Sequence, residues 1–212
     1  MVYYGHEKNR GENMLRVFIG LMLFFVGLNA IEMGKEFHYE NRDKLILNVT
    51  TTEEVNKYFG VPIKDIVIKN VNGKFNIYEY FFVHAGLTGG DERILMMEFK
   101  NDILIGYVYD SSHKEDSTLF NYEEIVGIEI GHHIDDVVKR VGKPSGEALC
   151  PVNIHDYKEK CIHGKKMFVW IYTPGTSMFG VSNVETKMLF VGLDENSLVS
   201  DISHHIQVGD GG

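Results

Sequence analysis

The chain has 212 residues, a formal charge of −9 and 44 % hydrophobic residues. That length suits one large domain or two small ones, and glycine and proline are not enriched enough for a disordered chain. The acidic balance excludes a surface built to bind phosphate over the whole molecule. The basic residues cluster no more densely than the Lys165-Lys166 pair, so nucleic acid is set aside as a partner.

The N-terminal region carries Val17–Leu28, an unbroken apolar run after Arg16. As a helix it rises about 18 Å, too short for a hydrocarbon core of roughly 30 Å. It has the length of a signal-peptide apolar region, with Met14-Leu15-Arg16 as a compact positive start and Ala30 as a small residue for cleavage. Residues 1–30 are expected to be a signal peptide or an N-terminal apolar segment. An uncleaved anchor and a buried first helix are the alternatives. On this reading the protein is periplasmic or secreted, and membrane contact is confined to this segment if it stays uncleaved.

The first helix is predicted after Thr51. Glu54 stands three residues on, the capping-box spacing that satisfies two free helix-end donors. Val55 and Phe59 lie four apart on one face, and Gly60 and Pro62 end the helix. Asn72-Gly73 then marks a hairpin turn between β-rich runs, and Asn101-Asp102 marks a second. Alternation places Tyr78 with Tyr80, and Tyr107 with Tyr109, on one side of their strands.

Residues 110–121 are polar and charged and read as a linker. A second helix follows His132-His133, with Asp135-Asp136 in its first turn, where carboxylates suit the helix dipole. Val137, Val138 and Val141 form its apolar stripe, and Gly142 and Pro144 close it. Gly60 falls on Gly142 and Pro62 on Pro144 when the two stretches are laid together. Tyr78 and Tyr80 lie over Trp170 and Tyr172, and Glu195-Asn196 supplies a final turn. Helix and sheet are each apolar on one side, so each unit should pack helix on sheet. The expected fold is α+β, with two tandem helix-plus-antiparallel-sheet repeats at 44–109 and 122–205.

The only two cysteines, Cys150 and Cys161, enclose ten residues of the second unit. A disulfide there would constrain the unfolded chain by roughly 3 kcal/mol and would suit an oxidising compartment. His155 and His163 interleave with the cysteines, so a metal site is the rival, although the spacing matches no common zinc pattern. Two unpaired buried thiols are the third option.

The stretch Glu129–Pro144, the Trp170-Ile171-Tyr172 strand and the hairpin Met188–Val199 together resemble the BamE (SmpA/OmlA) domain. The tandem form is similar in plan to the β-lactamase inhibitor protein, whose repeats carry a disulfide in the helix-to-sheet loop. The resemblance implies a small, non-catalytic, envelope-located module that holds other proteins. This chain departs from the pattern in lacking the lipid-bearing cysteine of BamE proteins. It also has Val49 where glycine precedes the helix, and Leu193 and Ser197 in the final hairpin.

No reactive motif stands out. The ten histidines include the adjacent pairs His132-His133 and His204-His205, but no His-Glu-x-x-His. Residues 173–180 hold serines near glycines without a nucleophile elbow. No catalytic residue, cofactor or metal is assigned. Tyr78, Tyr80, Tyr107, Tyr109, Trp170 and Tyr172 are core if they face the helices, and candidate interaction residues if they face outward. The functional expectation is a non-catalytic protein–protein interaction module, an envelope assembly accessory. An inhibitor of a secreted enzyme is the second reading. A metal-binding protein or hydrolase with an unrecognised site is the third.

Overall fold

The computed structural model describes residues 31–70, 73–86, 89–113, 116, 120, 122–151, 165–173 and 185–208. The apolar run Val17–Leu28, Asn72, His155, Cys161, His163 and residues 174–180 lie outside them. The described elements are, in order, β1 (Ile31–Gly34), a 3-10 turn (Tyr39–Lys44), α1 (Thr52–Phe59), β2 (Lys64–Asn70), β3 (Gly73–Gly86), β4 (Gly89–Lys100) and β5 (Ile103–Ser111). There follow α2 (Tyr122–Val126), α3 (Ile134–Val141), β6 (Gly146–Leu149), β7 (Lys166–Tyr172), β8 (Glu185–Leu193) and β9 (Val199–Val208).

The local signals form as their chemistry requires. Thr51 Oγ1 accepts from the Glu54 amide at 3.2 Å, and Glu54 Oε2 accepts from the Thr51 amide at 2.8 Å, completing the capping box. Those bonds to Thr51 hold the Glu54 carboxyl below its ordinary pKa. In α3 the cap is His133, whose Nδ1 accepts from the Asp135 amide at 3.3 Å. Gly60 and Gly142 end the two helices with φ of 81° and 94°, a region that disfavours any side chain. Asn101 and Asp102 both take positive φ, and Lys100 pairs with Ile103 across them, giving the two-residue hairpin.

The expected pair of tandem helix-plus-sheet repeats is overturned. All nine described strands join one antiparallel sheet in the order β1-β3-β4-β5-β6-β7-β8-β9, with β2 also on β3. The decisive contact is β5 with β6, where Gly106, Tyr107 and Val108 pair with Ala148, Glu147 and Gly146. A side chain on Gly106 would meet Ala148 Cβ at 2.8 Å, and one on Gly146 would meet the Tyr107 carbonyl at 2.3 Å. Two glycines thus let the strands close over the seam. Further ties cross between the two halves: Arg42 donates to the Pro144 carbonyl at 3.0 Å, and Lys143 pairs with Asp43. The chain is mainly sheet, with a few short helices on it.

Register separates the two faces of that sheet. One row runs Asp65, Tyr78, Met97, Tyr107, Glu147, Phe168, Val191, Ile202 from β2 to β9. Helices cover this face. Val55 and Phe59 of α1 pack with Tyr78, Tyr80, Leu95, Met97 and Phe99, while Ile125, Ile134, Val137 and Val141 pack with Trp170, Leu189 and Val191. On the opposite face a third cluster of Val108, Ala148, Met167, Val169, Ile171 and Phe190 is made of strand residues, with Met96, Cys150 and Met188 beside it.

Candidate functional site

The six aromatic residues singled out in the sequence share the helix-covered face. Tyr78, Tyr80, Tyr107, Tyr109 and Trp170 are buried, and Tyr172 is half-buried beside them. They are core, and their polar atoms tie the helix ends to the sheet. Tyr80 donates to the Gly60 carbonyl at 3.1 Å, and Trp170 Nε1 donates to the Gly142 carbonyl at 2.8 Å. Burial raises the Tyr80 phenol far above its ordinary pKa, and the charges of Tyr78 and Asp65 add to it.

The segment read as a polar linker contributes a buried group. Asp116 Oδ2 accepts from Arg93 Nε at 2.6 Å, Tyr109 OH at 2.7 Å and Ser111 Oγ at 3.0 Å. Burial opposes the Arg93 charge, but its bond to Asp116 and the carboxylate's charge more than offset this, and its pKa is raised. Sequence reasoning missed this constellation. Its signal was Arg93 itself, which falls at the same every-second position as the inward residues Leu95, Met97 and Phe99 and so needs a buried counter-charge. With the carboxylate already saturated by three donors, the cluster fastens Asp116 to the sheet and is not poised for reaction.

The opposite face is different. Ile77, Phe81 and Val83 of β3 and Ile94 and Met96 of β4 alternate with the buried row, are half-buried, and have no described helix over them. Ile66 continues this surface onto β2 at 38 % exposure and Met33 onto β1 at 52 %. Acidic groups lie along it: Glu79, paired with Lys64 at 3.4 Å, then Glu92 and Asp110. Burial raises the pKa of Asp110, with bonds from Thr173 and the Ser111 backbone opposing. Burial also raises Glu92, and the Asp110 charge adds to it. Asp110 Oδ1 is buried with no hydrogen-bond partner among the described residues.

Shallow hollows also mark the described surface. One, of about 390 Å³, lies between Gly127, His132 and Val137, and its Arg140 guanidinium donates to the Glu124 carbonyl at 2.7 Å. Another, of about 160 Å³, lies among Phe120, Ile125, Met188 and His204. His132 Nδ1 accepts from the Glu129 amide at 3.2 Å, so both histidines before α3 serve the local backbone. Among the described residues no three His, Cys, Asp or Glu side chains are placed to hold a metal. Among them, too, no helix is long and apolar enough to cross a membrane. Cys150 lies half-buried at the end of β6, and no described cysteine is a free thiol.

The sequence matches no protein-family model and no curated protein. The chain is similar in fold to a solved structure from Streptococcus mutans, a candidate β-lactamase inhibitor protein. The two are 13 % identical, with a TM-score of 0.48 over 78 % of this chain and 93 % of that chain. A likeness at this level transfers neither a partner nor a site.

Proposed function

We propose that the chain is a non-catalytic protein-binding module that docks its partner on the face of the sheet that no described helix covers. The observation that carries this is the row of half-buried apolar side chains at Ile77, Phe81, Val83, Ile94 and Met96, set on the sheet beside acidic groups. Contiguous apolar surface rimmed by charge is what association buries. The Glu79, Glu92 and Asp110 carboxylates favour a partner that presents basic groups and steer its approach. The buried Arg93–Asp116 cluster and the helix-side core supply stiffness, so little ordering cost falls on binding. Secretion or a periplasmic location remains part of this proposal, resting on the Val17–Leu28 run and the two cysteines.

The test is comparative capture from envelope and culture extracts. The wild-type chain is used beside Phe81→Glu/Met96→Glu, and Lys139→Glu on the helix side serves as control. A protein retained by wild type and control but lost from the double variant supports the docking face. Its identity separates envelope assembly machinery from a soluble enzyme under inhibition. Capture unchanged by the double variant would sink the proposal.

A further inference from the structure

β2 lies at the margin of the sheet and pairs only with β3 among the described strands, so alternate backbone N–H and C=O groups along its outer edge point away from the sheet. Its sequence, Lys64-Asp65-Ile66-Val67-Ile68-Lys69-Asn70, is apolar at the centre, and Ile66 and Val67 are 38 % and 49 % exposed. Lysines on an edge ordinarily discourage pairing.

We propose that this edge pairs antiparallel with the same edge of a second copy of the chain, on a two-fold axis through Val67. In that register Val67 faces Val67 of the other copy, and Ile66 faces Ile68. Asp65 faces Lys69, and by symmetry Lys69 faces Asp65. Directly opposed residues share a face, so a two-fold arrangement can slip only in steps that move each residue's partner by two. Either neighbouring register sets a lysine against an apolar residue: Lys64 against Ile68, or Lys69 against Val67. Charge complementarity therefore admits one pairing and opposes its neighbours. Asp65 is already held on its face by a bond from Asn76 Nδ2 at 3.1 Å. Pro62 stands just before the strand and stops the ladder from running further. The pairing would also join Ile66 and Ile68 of both copies into one apolar strip. This inference does not rest on the docking reading above, and either can fail alone.

The experiment is sedimentation equilibrium of the full chain from micromolar to millimolar concentration at low salt. Wild type is expected to dimerise reversibly. Asp65→Lys and Lys69→Asp each convert two attractive cross-strand pairs into two repulsive ones, and each should weaken the dimer about tenfold or more. Mixing the two variants restores complementarity in the heterodimer, so the mixture should associate where each variant alone does not. Val67→Lys, on the axis, should abolish association without touching the charge pair. A monomeric wild type at millimolar concentration, single variants that dimerise like wild type, or a mixture that stays monomeric would each overturn the proposal.

Discussion

Arg93 and Asp116, 23 residues apart in the chain, meet at 2.6 Å in a site closed to solvent, and Tyr109 and Ser111 donate to the same carboxylate oxygen. Removing Asp116 takes from Arg93 its closest counter-charge and leaves it the Glu36 carboxylate, farther off at 3.5 Å on a more exposed side chain. Asp116→Ala should therefore lower the unfolding free energy by about 3–5 kcal/mol. Asp116→Asn, which keeps the shape and an acceptor, should lower it less. Urea denaturation of the three proteins checks this, and equal stabilities would show that the cluster is solvated in solution.

Asp110 and Glu92 predict the opposite response to lost charge. Both carboxyls sit above their ordinary pKa, chiefly through burial. Between the unfolded and folded values the native state binds more protons than the unfolded one, so stability falls as pH rises through that window. Asp110→Asn removes the cost of ionising the group. It should stabilise the protein at pH 7, with the gain shrinking as pH falls towards the ordinary aspartate value of about 3.9. Melts of both proteins between pH 3 and 7 measure the difference. A difference that does not vary with pH would assign the effect to packing.

Much of this molecule was legible residue by residue, and the failures have a common cause. The Thr51–Glu54 box, the glycine stops at Gly60 and Gly142 and the Asn101-Asp102 turn are local, and each formed where its chemistry placed it. Alternation correctly put Tyr78 with Tyr80 and Trp170 with Tyr172 on one side, but periodicity does not say which side is covered. The union of β5 with β6 is set between residues some forty apart, and Gly106 and Gly146 advertise it only once their neighbours are known. Asp116 was hidden by its polar neighbours in the linker, although Arg93 at an inward position called for it. The candidate docking row at Ile77, Phe81, Ile94 and Met96 reads in sequence as ordinary strand and becomes a surface only when the helices are seen to lie on the other face.

Trp170 offers a direct probe of the second core cluster. It is the only tryptophan in the chain, is fully buried, and donates to the Gly142 carbonyl that closes α3. Its fluorescence should be blue-shifted in the native protein and move to longer wavelength in step with loss of sheet circular dichroism, as a cooperative transition requires. Trp170→Phe removes the donor and leaves the half-buried Gly142 carbonyl without it, costing about 1 kcal/mol. An early fluorescence transition would mean that α3 detaches before the sheet melts.

Cys150 directly follows β6, and Cys161, its expected partner, lies outside the described residues. Only two cysteines exist in the chain, so a bridge between them closes a short loop beside the strand that joins the two halves of the sheet. Intact mass spectrometry before and after reduction should show the gain of two hydrogens and no mixed-disulfide adduct. Cys150→Ser should then lower stability by about 3 kcal/mol through the larger entropy of the opened unfolded chain. The same variant should keep its capacity to bind through Phe81, because Cys150 follows β6, three strands away from β3 in the sheet. Loss of binding in step with stability would instead place the cysteine loop in the interface. Two alkylatable thiols in the native protein would remove the bridge altogether.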